Sequence, residues 1–498
     1  MADLRVSLTL SGGASLGAFQ AGAVAALLVG FGHARVEEDS DIRVDAIGGA
    51  SAGSLVGLLA AFSLLEGADG PELLSRAWVE EVDLSMLEEG DSEGPLSLDG
   101  VKDRFPGMLG DAETDEDKAQ EGPLTMIVQL TGLRGLTYEI PGVRHDHPAE
   151  ASTFADWKRF ELDRRGGLDQ IVEPKGTSPL DFVIASASHP GAFPPQLLDR
   201  SDDREDYEEQ GIVDFPEEGK LWYTDGGLVQ SEPLGQVIAA AHEREQDDPT
   251  ATHLNLVIDA RSEEPDGASR WGDPDADVGW VQALARALSI FPAQGLYEDM
   301  RRVERDNRRM DRIDELVEAI GPRLDQETAE ALVEVLERTE RDQAEAGGED
   351  PGNEEDGSSD PAQALRRALE AVAGVEGKRH VEVDLISPLV LANETGESVP
   401  ELLAGEHLGD FSGFLDEELR RSDFSLGYEC SLTWARDGLT NFDLDPGAVE
   451  RSVEAIEKGR LFDWEEVRRG SSESSDLPIR SRLRLARMAG RAVKALRG

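Results

Sequence analysis

Cysteine is almost absent from this chain of 498 residues, with Cys430 as the single example. One cysteine excludes an intrachain disulfide and a cysteine-based metal site. Lysine is also scarce, since 8 lysines among 49 basic residues leave 49 − 8 = 41 arginines. The longest apolar runs, 21–32 and 55–65, are shorter than the roughly 20 residues that span a bilayer. The first residues lack the basic and apolar segments of a signal peptide, so none is expected.

Positive charge is deficient overall, because 49 lysines and arginines face 103 acidic residues and give a net charge of −54. Nucleic acid is therefore excluded as a partner, since phosphate binding needs clustered basic residues. Hydrophobic residues make up 39% of the chain, enough for a sizeable core, which excludes general disorder. Dense carboxylates with little lysine resemble the proteins of salt-in halophiles; the alternative is an acidic mesophile protein. At about 1 M salt the Debye length is only about 3 Å, so carboxylates repel one another little. We expect a halophilic, cytoplasmic protein.

The first 65 residues show the order strand, glycine-rich turn, helix twice. Strands are predicted at 4–10 and 43–48, and helices follow to about residue 32 and from 52 to 65. This repeated order of strand, turn and helix is typical of a parallel α/β sheet. Further strands are predicted at 124–130, 221–224, 253–259 and 380–386.

The remaining chain contains acidic insertions and a long helical region. Residues 281–342 have helical composition and periodicity, and the low-complexity segment 346–359 is the predicted linker. Acidic, glycine-containing surface insertions are predicted at 88–94, 111–122, 199–218 and 263–277.

Residues 49–53 read Gly-Ala-Ser-Ala-Gly, a G-x-S-x-G pattern between a predicted strand and a predicted helix. This context suits a nucleophile elbow, in which small neighbours allow Ser51 to occupy a strained turn. The helix N-terminus behind the serine favours developing negative charge. A plain tight turn rich in small residues is the alternative interpretation.

Two further glycine-rich turns follow predicted strands. Residues 11–17 read Ser-Gly-Gly-Ala-Ser-Leu-Gly, a loop whose backbone N–H groups can bind an oxyanion. Nucleotide binding is not expected there, because the loop lacks the P-loop lysine and has Ala14 where the Rossmann spacing needs glycine. Residues 222–227 read Trp-Tyr-Thr-Asp-Gly-Gly, and Asp225 at that strand end suits either a catalytic base or a carboxylate that caps the loop.

Together these motifs resemble the patatin-like phospholipase family. A fourth match is the stretch 185–195, Ala-Ser-Ala-Ser-His-Pro-Gly-Ala-Phe-Pro-Pro, and a weaker likeness continues at 409–415 and 423–428. The resemblance implies an α/β fold with a mostly parallel central sheet flanked by helices, and a helix-rich C-terminal extension. The implied segments are a catalytic domain at 4–262, a helix-rich extension at 263–440 and a helical tail at 441–498.

The resemblance also implies a lipid acyl hydrolase that works through a Ser-Asp dyad, without a metal or organic cofactor. Ser51 would be the nucleophile and Asp225 its base. The N–H groups of Gly12, Gly13 and Ala14 would form the oxyanion hole. The family's first motif is usually G-G-G-x-R/K-G, so Ala14 and Leu16 depart from it. Ala14 is expected to keep its N–H in place with a negative φ.

Three alternatives stay open at this point. His189, within the fourth motif, is the rival base for Ser51. A protein that keeps the frame for binding or regulation, with weak turnover, is a second function, suggested by Ala14 and Leu16. An acyltransferase would use the same acyl-enzyme with an alcohol as acceptor. The natural substrate, the acyl position and the oligomeric state are not readable from the sequence.

The last twenty residues, 479–498, reverse the charge of the chain. They hold seven basic residues and no acidic one, and an apolar face lies opposite the basic stripe at 100° per residue. A basic amphipathic helix is the pattern of an interfacial membrane anchor, and peripheral contact at the inner membrane face is one of three interpretations that stay open. The alternatives are docking on the acidic body of the protein and a disordered tail. The basic residues are Arg480, Arg482, Arg484, Arg487, Arg491, Lys494 and Arg497.

Overall fold

The computed structural model describes fourteen stretches of the chain: 4–35, 42–90, 94–140, 149–172, 177–245, 251–260, 280–329, 331–335, 338, 360–375, 378, 380–405, 411–442 and 444–473. The predicted insertion 263–277, the linker 346–359 and the basic tail 479–498 lie outside these residues.

The chain forms two compact units, one of Met1–Leu296 with Val383–Gly498 and one of Tyr297–Glu382. These boundaries differ from the expected segments 4–262, 263–440 and 441–498, which stay a prediction. In the first unit, residues far apart in sequence share one sheet. In the second, Met310, Ile313 and Val375 form a small buried core.

The first unit is built on one mixed sheet, in which the described residues form eight strands in the order β5-β6-β3-β2-β1-β7-β8, with β4 paired to β3. β1 is parallel to both β2 and β7, and β2 is parallel to β3. β3 is antiparallel to β4 and β6, and β5 is antiparallel to β6. The predicted mostly parallel sheet flanked by helices is confirmed. The strands are β1 (Leu4–Leu10), β2 (Ile42–Gly49), β3 (Leu124–Ile140), β4 (Ala149–Leu162), β5 (Gln196–Asp199), β6 (Lys220–Thr224), β7 (Thr252–Ile258) and β8 (Glu382–Ile386).

Two strands, β4 and β5, were not predicted from the sequence. Among the described strands β4 pairs with β3 alone, and most of its residues are partly exposed. Partly exposed positions accept charged residues. In β4 these residues interrupt the apolar alternation on which strand prediction depends. β3 also runs to Ile140 instead of ending at Leu130. By contrast β1, whose neighbours cover both faces, is buried at every position but Arg5.

Helices cover the sheet, and the predicted helices after β1 and β2 are confirmed. By length and composition one helix, Ala14–Gly32, could cross a membrane, and 89% of it lies buried inside the protein. The helices of eight or more residues among the described residues are α1 (Gly17–Arg35), α2 (Ala52–Glu66), α3 (Asp99–Gly110), α4 (Pro179–Ser186), α5 (Leu234–Glu245), α6 (Trp280–Ile320), α7 (Pro361–Ala373), α8 (Glu417–Gly438), α9 (Pro446–Lys458) and α10 (Trp464–Glu473). The shorter ones are Gly70–Ser75, Leu84–Leu87, Asp169–Val172, Arg204–Glu209, Leu389–Thr395 and Val399–Leu402.

Helix α8, in the C-terminal region, packs directly against α1. A Cβ on Gly22 would lie 1.8 Å from the carbonyl oxygen of Phe424, and one on Gly427 would lie 1.9 Å from that of Phe19. The two helices therefore approach backbone to backbone, which only glycine permits at these positions. This contact joins the C-terminal region to the helix that follows the glycine-rich loop.

Candidate active site

Ser51 lies on a sharp turn between β2 and α2. Its φ of 51° is unusual for a residue other than glycine, and ψ is −123°. A Cβ on Gly49 would lie 2.5 Å from the carbonyl carbon of Gly53, and one on Gly53 would lie 2.5 Å from the oxygen of Leu10. Both glycines of the motif are thus required by close backbone approach. Residues 49–53 form a strained elbow and not a plain turn.

The hydroxyl of Ser51 donates a hydrogen bond to the carboxylate of Asp225, with 2.7 Å between Oγ and Oδ2. Both side chains are nearly buried, with 7% and 5% of their surface exposed. The other carboxylate oxygen accepts from the N–H of Gly227 at 2.8 Å. The backbone N–H of Asp225 donates to Ser188 O at 3.0 Å. The carboxylate is therefore held in place by bonds other than the one to the serine.

Asp225 reaches Ser51 because β6 runs against the parallel strands. Gly49 pairs with Val128 on β3, and three residues further along β3 Thr131 pairs with Thr224. The antiparallel β6 thus brings its C-terminal end to the edge at which β2 also ends. A Cβ on Gly226 would lie 2.1 Å from the oxygen of Gln129, so the loop rests on β3 at this glycine.

Ser186, at the end of α4, connects the elbow to the sheet. Its Oγ accepts from the N–H of Ser51 at 2.9 Å and donates to Gln129 O at 2.6 Å. Two residues later, Ser188 O accepts from the Thr224 hydroxyl and the Asp225 N–H. Sequence reasoning matched this stretch to a family motif but gave neither serine a role. The available signal was a run of alternating Ala and Ser at a helix end.

The glycine-rich loop follows β1 at the same edge of the sheet as Ser51. Leu10 pairs with Gly49, and the N–H of Ala50 donates to Leu10 O at 3.2 Å. Gly12 and Gly13 therefore follow β1 at the level where Ser51 follows β2. The expectation of a negative φ at Ala14 is wrong, because its φ is 46°. Among the described residues other than glycine, Ala14 and Ser51 are the two with positive φ.

Buried side chains hold both ends of this loop. Ser11 Oγ donates to Asp259 Oδ1 at 2.9 Å, and Gln20 Nε2 donates to Ser11 O at 2.5 Å. At the other end, Ser15 Oγ accepts from the N–H of Gly413 at 3.1 Å. Gly413 lies in the C-terminal region, in which sequence reasoning noted only a weak likeness. The loop therefore depends on residues far downstream in the chain.

Arg420 secures the C-terminal side of this contact. Its guanidinium is buried and donates to Gly413 O at 3.0 Å and to Val79 O at 2.7 and 3.0 Å. Burial lowers the pKa of Arg420, although the nearby acidic residues Asp83, Glu417 and Asp416 oppose this effect.

A buried ionic cluster supports β6 just before Asp225. The hydroxyls of Tyr223 and Tyr207 donate to Asp156 Oδ2 at 2.6 and 2.7 Å, and Arg200 donates to the same oxygen at 3.1 Å. Arg200 also donates to the hydroxyl of Tyr223 at 2.9 Å. Burial opposes ionisation of Asp203, but Arg200 and Lys158 outweigh burial and lower the pKa of its carboxyl. Burial, followed by the charge of Asp156, raises the pKa of Tyr223.

The rival base His189 has other contacts. Its Nδ1 accepts from the N–H of Gly191 at 3.2 Å, and its ring lies 6.0 Å from the ring of Phe411. The structure brings Asp225, and not His189, to the hydroxyl of Ser51. The described residues contain no group of three or more His, Cys, Asp or Glu side chains that could hold a metal ion.

An apolar pocket begins one helical turn from Ser51. Its cavity volume is about 20 Å³, which is room for roughly one water molecule. Leu55 lines it and lies four residues after Ser51, hence on the same side of α2. Trp78 lines it too, and its ring lies so close to Gly17 that a Cβ there would be 2.3 Å away. The pocket is thus bordered by α2, which follows Ser51, and by Trp78, which contacts the first residue of α1. Its lining is Leu55, Leu59, Ala77, Trp78, Glu81, Val82, Met86, Val101, Arg104, Phe105 and Met108.

Comparison with known protein families identifies the class of protein to which this fold and this pair of side chains point. Residues 8–238 match the sequence model of the patatin-like phospholipase family. Residues 8–238 thus form a patatin-like phospholipase domain, and the sheet and helices form the patatin fold. The structure of VipD from Legionella pneumophila is similar at 13% identity, covering 99% of this chain and 89% of that chain; its TM-score of 0.22 is too low to establish a shared fold. No curated protein matches the chain significantly.

Proposed function

We propose that this protein is a serine hydrolase that cleaves acyl esters of lipids through an acyl-enzyme on Ser51. The observation that carries the proposal is the 2.7 Å hydrogen bond from the hydroxyl of Ser51 to Asp225. A nucleophile bonded to a base, with the base oriented by a third group, is the arrangement that activates serine. Here the N–H of Gly227 orients the carboxylate.

The chemistry balances with these two side chains and water. Asp225 Oδ2 accepts the hydroxyl proton while Ser51 Oγ attacks the ester carbonyl. The proton then moves from Asp225 to the leaving alcohol as the ester C–O bond breaks. Water attacks the acyl-enzyme, gives its proton to Asp225 and releases the fatty acid, after which the proton returns to Ser51 Oγ. The loop of Gly12, Gly13 and Ala14 and the N-terminus of α2 would stabilise the oxyanion, where one donor is worth about 3–4 kcal/mol.

The apolar lining of this pocket supports an acyl chain as the part of the substrate that is recognised, although the cavity of about 20 Å³ must widen to admit the chain. Its lining is aliphatic and aromatic, apart from Glu81 and Arg104. Arg104 forms an ion pair with Glu89 and is half exposed, so the charge of Arg104 lies toward the solvent and not along the pocket. Burial of each methylene group of a substrate contributes about 0.8 kcal/mol. Esters with longer chains should therefore have lower KM values as far as the lining side chains move apart to admit them.

A second candidate function, a binding protein with weak turnover, is favoured by one observation. Ala14 has a φ of 46° in the loop that would hold the oxyanion, where the family usually has glycine. Strain of this kind costs about 1–2 kcal/mol, and any shift that relieved it would move the N–H donor. The two functions differ in kcat on an ester whose binding is unchanged.

The deciding experiment is covalent labelling with a fluorophosphonate probe in molar KCl. We expect one adduct, located by mass spectrometry on Ser51, with label and esterase activity lost together in Ser51→Ala. Ser63→Ala is the matched control, since Ser63 is also buried on α2 but bonds to Ala68 O. Asp225→Asn should lower kcat by about 10²–10⁴-fold, the contribution of a general base. An adduct on another serine of active protein would contradict the proposal.

A further inference from the structure

An exposed apolar row crosses three strands at one end of the sheet. Leu197 on β5 pairs directly with Trp222 on β6. β6 pairs with β3 through Thr224 and Thr131, then Tyr223 and Gly132. Leu133 is the residue of β3 that follows Gly132, and Trp222 is the residue of β6 that precedes Tyr223, so both lie next to this pair. Directly opposed residues share a face. The exposed fractions of Leu133, Trp222 and Leu197 are 53%, 50% and 46%.

The row adjoins the candidate active site. Trp222 precedes Asp225 by three residues, about 10 Å along an extended strand. On the other side of Asp225, Leu228 and Val229 are exposed as well. Large apolar side chains are thus exposed to solvent on both sides of the proposed base in the sequence. They stand out on a chain with a net charge of −54.

The size of the row argues against a second copy of the chain as its occupant. Three half-exposed side chains offer roughly 300 Å², whereas a stable protein interface buries about 800 Å² on each partner. A lipid surface has no such requirement, because single side chains insert into it one by one. Tryptophan in particular is favoured at the boundary between headgroups and acyl chains.

We propose that Leu133, Trp222 and Leu197 dock the protein on a lipid surface, so that the site around Ser51 and Asp225 faces lipid. This inference rests on the proposed function for its choice of occupant. An acidic body is repelled by anionic headgroups, and molar salt would screen that repulsion. The apolar row then supplies the attraction, independently of the basic tail 479–498.

The test is binding to vesicles of phosphatidylcholine and phosphatidylglycerol in 3 M KCl, measured by flotation. The protein carries Ser51→Ala, so that turnover cannot alter the lipid. We expect Leu197→Ser with Trp222→Ser to lower the vesicle partition coefficient at least about tenfold. The protein should bind vesicles of ether-linked lipids equally well, because the apolar row does not distinguish an ester bond from an ether bond.

The matched control is Leu461→Ser. Leu461 is 45% exposed, like Leu197, but it lines a different pocket together with Leu28 and Gly32, near the end of α1 remote from Ser51. This variant should bind vesicles like the parent. With Ser51 restored, the double variant should hydrolyse a soluble short-chain ester at the parent rate but lose activity on vesicles. An unchanged melting temperature shows that the double variant is folded.

Three results would overturn docking: a parent that does not bind vesicles, a double variant that binds like the parent, or a double variant that alters the oligomeric state in light scattering. If deletion of 479–498 abolishes binding while the double variant keeps it, the tail is the anchor and the row is not. Vesicle binding that depends on the row in a protein without esterase activity would refute the proposed function and leave docking standing.

Discussion

Replacement of Ser186 by alanine tests how the strained elbow is maintained. The hydroxyl of Ser186 accepts the N–H of Ser51 and donates to Gln129 O, and Ser186 is fully buried. Ser186→Ala leaves the N–H of Ser51 without its acceptor, at a cost of about 1–3 kcal/mol for an unsatisfied buried group. Loss of the bond to Gln129 adds about 1 kcal/mol. We therefore expect a loss of about 2–4 kcal/mol in the free energy of unfolding.

The same change should slow catalysis without weakening substrate binding. A nucleophile displaced by about 1 Å can lose a factor of about 10² in rate. Because the apolar pocket does not include Ser186, the KM for a soluble ester should stay unchanged while kcat falls. Denaturant unfolding and steady-state kinetics, both in molar KCl, measure the two effects.

Ser188→Ala is the control for this prediction. Ser188 is also fully buried, but its hydroxyl donates to Ile184 O within the same helix end and not to the elbow. Its replacement should cost about 1 kcal/mol and leave kcat unchanged. Equal losses in the two variants, or a parent-like kcat in Ser186→Ala, would refute the reasoning that the hydroxyl holds Ser51 in position.

Three further predictions concern backbone strain, pH and salt. Ala14→Gly should stabilise the protein by about 1 kcal/mol in thermal unfolding, because glycine adopts a φ of 46° without strain; a destabilised variant would contradict the strain. The carboxyl of Asp203 has a pKa below its ordinary value of 3.8, so its contribution to stability is complete above that value and is lost as the pH falls through the lower folded value. Asp203→Asn should therefore lower the melting temperature at pH 6 and reduce its further fall toward pH 3; a parent-like pH profile would contradict this. With a net charge of −54, the melting temperature should fall steeply below roughly 0.5 M KCl, where the Debye length exceeds about 4 Å; an unchanged value between 0.1 and 3 M would contradict the halophilic interpretation.

The local motifs could be predicted from sequence because each depends on near neighbours in the chain. The two glycines around Ser51 indicated an elbow, and the structure has one with the positive φ that such a turn requires. The strands β1 and β2 were also predictable, since buried central strands form continuous apolar runs. The edge strand β4 was not, because its partly exposed residues carry no such pattern.

Sequence alone thus determined the fold class, and its resemblance to a family suggested the pair Ser51 and Asp225, whose Oγ and Oδ2 lie 2.7 Å apart. The tertiary structure decided how they meet: an antiparallel β6 delivers Asp225, Ser186 fixes the elbow, and Gly413 and Arg420 hold the glycine-rich loop from the far end of the chain. It also decided the conformation of Ala14, for which the sequence-based expectation was wrong. The physical reason is range. Turns and periodic faces are set by residues a few positions apart, whereas these hydrogen bonds join groups up to 398 positions apart, and no local pattern records which of them will pair.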